Sequence, residues 1–320
     1  MRRFWTAGLL AIWAAVPFTP ASAFPDRPIR MVVPFAAGGA TDVGARVLAE
    51  AMTPHLAHPI VVENRVGGAG IVASELVARA PADGHTVLIN NTSHSVLRLV
   101  VPNAPIDVTT ALSAVSVLSE MPMVMLVANN HPARDVREFI SLARANPGRF
   151  NYGSTGGGGT LQMAALLFLN AAQLDLTEIP YRGGAPATLD LAAGRIAMVF
   201  DVALTGVQTA RGGQARAFAV TSPARSPALP DVPTLREIGL DAEMNVWQAI
   251  FTGSGVPAET KAALHRAITA ALSNETVRRR MTELGVDRIL ASPPAEAQRY
   301  VAAEVARWEG LLRGRIQPGG

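Results

Sequence analysis

Four stretches of this sequence are almost stripped of side chains, and each follows an apolar run. They are Ala36-Ala37-Gly38-Gly39-Ala40, Gly67-Gly68-Ala69-Gly70, Asn91-Thr92-Ser93-His94 and the segment YGSTGGGGT at 152–160. Loops of this kind offer peptide N–H groups instead of side chains. Where a helix starts just beyond, its first N–H groups are unpaired and carry partial positive charge, so the chemistry on offer is anion binding. Thr41 is placed to cap one such helix and Thr160 another. Asp42 and Arg46 stand four residues apart. That spacing fits a surface ion pair worth about 0.3–0.5 kcal/mol, or an aspartate turned back to organise the loop.

Other chemistries find less support. Gly68-x-Gly70-x-x-Ala73 loosely matches a dinucleotide-binding fingerprint, which would make the chain an exported α/β enzyme. No Gly-x-Ser-x-Gly nucleophile elbow occurs. His55 and His58 lack an evident third ligand and read as solvated residues at a helix end. No catalytic residue, metal or cofactor is therefore expected. The basic residues are scattered, and the cluster at Arg278, Arg279 and Arg280 reads as a solvated helix face. Nucleic acid would need a continuous basic stripe, so it is not an expected partner.

The loops need elements to hold them. Apolar runs at 29–33, 60–64 and 86–90 read as strands, with helical patterns at 41–52 and 71–80 between them. This alternation predicts a parallel sheet flanked by helices, with its strand-to-helix loops along one edge. A second set follows, with strands at 123–128, 150–154, 176–181, 196–202, 215–222 and 246–253. Its helices are expected at 136–145, 160–172 and 185–194, and the chain ends in helices at 258–273, 274–285 and 294–314. The expected fold class is therefore α/β, with two lobes that interleave. One lobe would hold 24–123 plus 249–320 and the other 124–248.

Two lobes answer an energetic need. A hydrogen bond to a charged group contributes about 1.5–3 kcal/mol, while association costs roughly 4 kcal/mol or more. Micromolar binding needs about −8 kcal/mol, so a single loop falls short and a second loop closing over the ligand is required.

The N-terminus reads as an export signal. Arg2 and Arg3 precede an uncharged stretch that ends Ala21-Ser22-Ala23, so cleavage is expected near Ala23 and the mature chain near Phe24. An uncleaved anchor is the alternative, since that stretch could just span a bilayer. Pro17 and Pro20 favour cleavage. Without Arg2 and Arg3 the formal charge falls from +3 to +1. The absence of cysteine excludes a disulfide framework, a thiolate metal site and a lipid-modified N-terminal cysteine. A soluble periplasmic protein acting as a monomer is expected.

RPIRMVVPFAAGGATDVGAR at 27–46 resembles the start of the Bug receptors, the periplasmic solute-binding proteins of tripartite tricarboxylate transporters. The likeness continues through 61–89, NYGSTGGGG at 151–159, 179–201, 229–240 and Trp247. It implies a two-lobed periplasmic-binding-protein (Venus flytrap) fold, each lobe a mostly parallel sheet flanked by helices, that closes on a small carboxylated solute. It also implies membrane transporter subunits as partners. A receptor that signals to a membrane sensor is the alternative role. The resemblance places Phe35, Ala36, Ala37, Gly38, Gly39 and Asp42 at one end of the ligand, and Ser154, Thr155, Gly156, Gly157 and Gly158 opposite. Thr92, Ser93 and Asp201 fall where members approach the ligand. Gln162 stands where the family often has His, and Leu166, where it often has Glu, reads as core packing. Trp247 could line the cleft or pack at the lobe junction.

Overall fold

The run at 29–33 is apolar on both faces, which suits a strand covered on both sides. In the computed structural model, which describes residues 24–312, it is β1 (Ile29–Val33), with Ile29, Met31, Val32 and Val33 buried. The expected signal segment, 1–23, lies outside the described residues. After β1 come α1 (Ala40–Met52), β2 (Ile60–Asn64), α2 (Ile71–Ala78) and β3 (Thr86–Asn91). Two short helices, α3 (Leu97–Val100) and α4 (Val108–Ala111), lead into β4 (Leu112–Val127). The middle of the chain forms α5 (Val136–Ala145), β5 (Asn151–Ser154), α6 (Thr160–Ala172), β6 (Thr177–Pro180), α7 (Gly184–Ala192) and β7 (Met198–Val202). Then follow α8 (Ala203–Arg211), β8 (Arg216–Val220), β9 (Asn245–Gly253), α9 (Ala258–Ser273), α10 (Glu275–Glu283), β10 (Arg288–Ile289) and α11 (Pro294–Leu312).

The strand order is β2-β1-β3-β9-β4-β7-β5-β6. Each outer trio is parallel: β1 between β2 and β3, and β5 between β6 and β7. The strands joining the trios, β9 and β4, run antiparallel to their neighbours. β4 pairs with β9 as far as Pro122, then from Met123 with β7 and from Val124 with β8. Pro122 has no N–H to give a ladder, which suits the point where one sheet is exchanged for the other. β9 pairs with β4 from Asn245 onward. The chain thus crosses between the two halves of the sheet at 122–123 and again just before Asn245. Buried Thr221 ties the two crossings together: its Oγ1 accepts from Met123 N at 2.8 Å and donates to Met244 O at 2.5 Å.

α11 packs across β4. Its Glu304 accepts from Nε1 of Trp247 (3.2 Å) and of Trp308 (3.0 Å), and Tyr300 meets Trp247 edge-on. Trp247 is fully buried there, so it packs beneath the sheet and does not line the cleft.

Candidate functional site

The first loop leaves β1 at Pro34. Gly38 has φ +81°, a left-handed conformation that glycine adopts without the usual steric cost. Gly39, extended at φ −78°, is the residue before the helix, so Thr41 is not the cap expected from the sequence. Thr41 lies inside the first turn, and its hydroxyl accepts from Asn91 Nδ2 at 2.9 Å. Asp42 does turn back to the loop. Its Oδ2 accepts from Gly38 N at 2.9 Å and Arg46 Nε at 3.0 Å, and its Oδ1 from Asn64 Nδ2 at 2.9 Å and Arg46 Nη2 at 3.0 Å. The same Asn64 amide donates to Phe35 O at 3.0 Å. Burial alone would raise the Asp42 pKa, but the Arg46, Gly38 and Asn64 donors hold it below the usual carboxylate range. Both readings of the Asp42–Arg46 spacing are thus realised in one network.

The second loop leaves β5 at Ser154. Gly156, Gly157 and Gly158 all have positive φ, from +47° to +73°, which explains the run of glycines. Gly159 precedes α6, so Thr160 is likewise the first helical residue and not a cap. Gln162 Oε1 accepts from Gly158 N at 2.8 Å, and its Nε2 donates to both carboxylate oxygens of Glu178, at 2.8 and 3.0 Å. Glu178 also receives the Ser154 hydroxyl, whose oxygen accepts from Gly156 N at 2.8 Å. Gln162 and Ser154 therefore hold the loop from beneath.

The loops face one another with α7 between them. A Cβ at Gly183 would come 3.1 Å from Ala36 Cβ, one at Gly38 3.6 Å from Ala185 Cβ, and one at Gly157 3.2 Å from Ala69 Cβ. α1, α6 and α7 lack a side-chain cap at their N-termini. Their starts converge on a small chamber of about 20 Å³, lined by Phe35, Gly39, Ala40, Thr41, Asn91, Thr155, Thr160, Leu161, Gly184, Asp201 and Val202. That is room for about one water. Phe35 and Thr155 also border an outer cavity of about 460 Å³, with Pro34, Val66, Gly67, Gly68, Ala69, Gly70, Gly156, Gly159, Tyr181 and Arg182. This is within the size range of small-ligand sites.

Within the chamber Asp201 is 1% exposed, and its Oδ1 accepts from Val202 N at 3.0 Å. Burial pushes its pKa up to about 6, against the opposing pull of the Thr205 hydroxyl and the Val202 N–H. Thr155 Oγ1 is buried without a partner among the described residues.

Of the residues expected from the sequence, Phe35, Gly39, Thr155, Gly156 and Asp201 line the two cavities. Ala36, Ala37, Gly38, Gly157 and Gly158 shape the loops, and Asp42, Ser154 and Gln162 brace them. Thr92 and Ser93 line neither cavity. Thr92 Oγ1 accepts from Trp247 N at 3.0 Å, and Ser93 N is capped by Asn91 Oδ1 at 2.9 Å. Residues not singled out beforehand are Asn64, Glu178, Tyr181 and Arg182, while Asn91, named only as part of a loop, lines the chamber. Asn64 and Glu178 were signalled only as polar residues on outer strands.

Residues 44–316 match the model of the tripartite tricarboxylate transporter family receptor. A protein of Pseudomonas sp. (strain P51) from the tcbD-tcbE intergenic region is 36% identical over 91% of this chain and 87% of its own length. MatC from Rhodopseudomonas palustris, solved with bound malate, aligns with TM-score 0.85 and 32% identity over 90% of this chain and 100% of its own. An R. palustris protein solved with adipate gives TM-score 0.88 and 32% identity, over 92% and 100%.

Proposed function

This chain belongs to the tripartite tricarboxylate transporter receptor family, a family of periplasmic solute-binding proteins and not of enzymes, and we propose that it captures a small carboxylated organic solute between its two glycine loops. The solute is handed to the membrane subunits of a tripartite tricarboxylate-type transporter. The observation that carries this reading is the convergence of the α1, α6 and α7 N-termini, uncapped by any side chain, on one chamber between the loops. Three helix starts direct N–H groups and partial positive charge at one point, which suits a carboxylate. Malate and adipate in two related structures fit the same ligand class. The protein works in the periplasm as a monomer after removal of residues 1–23; among the described residues no helix is long and apolar enough to cross a membrane.

Each loop supplies two or three charge-assisted hydrogen bonds, about 1.5–3 kcal/mol apiece, so closure of both over one carboxylate overcomes the association cost. A thermal-shift screen of mono- and dicarboxylates, followed by calorimetry, tests this. At least one acid is expected to raise Tm and bind at micromolar Kd or tighter, and Gly38→Pro with Ser154→Ala to abolish that binding. No stabilisation by any carboxylate would refute the proposal.

A further inference from the structure

Among the residues lining the inner chamber, Asp201 is the one that can ionise. It lies near the end of β7 and faces the start of α7, where a Cβ at Gly184 would come 3.0 Å from its Oδ1. The other polar side chains of the wall, Thr41, Asn91, Thr155 and Thr160, are neutral.

The charged groups on the elements around Asp201 are committed elsewhere. On α1, Asp42 is paired with Arg46. On β4, Glu120 accepts from Arg288 and Tyr300, each at 2.6 Å. Beyond β5, Glu178 of β6 is engaged by Gln162 and Ser154. On α7, Asp190 accepts from Tyr181 and Arg195, and on α8, Arg211 donates to Ala228 O and Glu283 O. α6 carries no charged residue. Past Asn91, His94 is stacked on Phe251, where burial lowers its pKa to about 4 and keeps it neutral. Arg182 lines the outer cavity and not the chamber. Among the described residues, then, no cation lines the chamber with Asp201.

A chamber with room for about one water puts a carboxylate at its mouth no more than one water from Asp201. Two carboxylates that close, with no cation between them, disfavour each other's charge, and one of them takes up a proton. We propose that Asp201 is the proton-holding residue of this site. Capture of a solute carboxylate draws one proton from solvent onto Asp201, and the neutral acid donates its O–H to the solute or to the water between them. The proposal rests on the carboxylate-capture reading above and adds proton linkage to it. Before any solute arrives, burial has already pushed the Asp201 pKa up to about 6. Affinity is therefore greatest near pH 6, where the acid form is present beforehand, and falls as pH rises above it.

The test applies calorimetry to the mono- and dicarboxylates of the thermal-shift screen, malate, adipate and benzoate among them. Titrations at pH about 6 and about 7.5, in pairs of buffers with unlike ionisation heats, count the protons taken up. In the wild type, an acid that binds is expected to take up close to one proton at the higher pH and to weaken about tenfold between the two. Asp201→Asn, whose amide imitates the neutral acid, should take up none and bind with nearly the same Kd at both. Thr205→Val keeps the carboxyl and removes a hydroxyl that favours its ionised form, so the fall in affinity should move to higher pH. Wild-type binding without proton uptake, uptake that persists in Asp201→Asn, or a pH profile unmoved in Thr205→Val would overturn the inference and leave carboxylate capture standing. Failure of the wild type to bind any acid of the screen would overturn both.

Discussion

The two glycine loops are built on one plan with the polarity reversed. In each, a glycine of positive φ two residues before the helix donates its N–H to the third helical residue: Gly38 to Asp42, and Gly158 to Gln162. In each, that helical side chain is bonded to a residue on the neighbouring outer strand. The first lobe puts the acid on the helix and the amide, Asn64, on the strand; the second puts the amide on the helix and the acid, Glu178, on the strand. In the first network the acid, Asp42, is buried and held by Arg46, whereas Gln162 and Glu178 are both partly exposed. A glycine loop can therefore be fixed by either arrangement, provided that the glycine N–H finds an acceptor and the acceptor a strand partner. The loops differ more in what they press upon. A Cβ at Gly158 would lie 2.6 Å from Val96 Cγ2 and 2.8 Å from Val100 Cγ1, across the cleft, while one at Gly38 meets nothing closer than 3.6 Å.

The largest expected effect separates the loops on closure. Gly158→Ala forces a side chain into Val96 and Val100, an overpacking cost of about 1–3 kcal/mol, so Kd for a confirmed carboxylate should rise about 10- to 100-fold. Gly38→Ala should strain its own loop by about 1–2 kcal/mol, lowering Tm while changing Kd by less than about threefold. Calorimetry and melting on both variants check this, and equal Kd changes would break the comparison.

Bracing comes next. Asp42→Ala strands the Gly38 N–H, the Asn64 amide and Arg46, and should destabilise the chain by about 2–4 kcal/mol. Gln162→Ala removes the acceptor of the Gly158 N–H and the amide donor to the Glu178 carboxylate at a wetter site, and should cost about 1–2 kcal/mol. Chemical denaturation of the two variants orders them, and a costlier Gln162→Ala would reverse the claim that the first lobe is the more tightly held.

The lobes should also answer pH in opposite senses. Asp42 has a lowered pKa, so its contribution to stability is present above its ordinary value of about 3.8 and is lost as pH falls through its folded value. Asp201 has a raised pKa, about 6, so the stability it favours is present below about 3.8 and lost as pH rises through about 6. Asp201→Asn should therefore melt above the wild type at neutral pH, with the gain vanishing toward pH about 4. Asp42→Asn should melt below it at neutral pH, with the deficit shrinking in stronger acid. Melting curves from pH about 3 to 8 show whether the signs differ.

The smallest effect belongs to Arg46. Its side chain is half exposed, so Arg46→Gln should cost only about 0.2–1 kcal/mol. A loss as large as that of Asp42→Ala would mean that the guanidinium, and not Gly38 and Asn64, carries the network.

Much of this was legible in the sequence because strand-to-helix periodicity is local. The outer trios and the helices at α1, α5, α6 and α9 follow from apolar spacing alone. The first half of β4 was not, since Ser113, Ser116 and Ser119 break the alternation and Pro122 argues against a strand. Burial between β9 and α11 overrides that signal. α8 was missed because its polar, β-branched and glycine content is weakly helical. Small-residue loops advertise a backbone site, so the loops themselves could be read. Their braces Asn64 and Glu178 could not, because they reach the loops only through strand pairing, 22 and 16 residues from the side chains they hold. Thr92 and Ser93 looked like cleft residues by type and position. The 3₁₀ turn at Thr92–Val96 directs Thr92 to the Trp247 backbone instead.

The central claim is that one carboxylate lies between the two loops, at the starts of α1, α6 and α7. A crystal structure with the best acid from the thermal-shift screen tests it most directly. The account predicts a carboxylate at the mouth of the chamber bordered by Gly39, Thr155, Gly184 and Asp201, bonded to first-turn N–H groups directly or through the one water that the chamber can hold. A ligand seated elsewhere, or one that turns a neutral end toward that chamber, would contradict it.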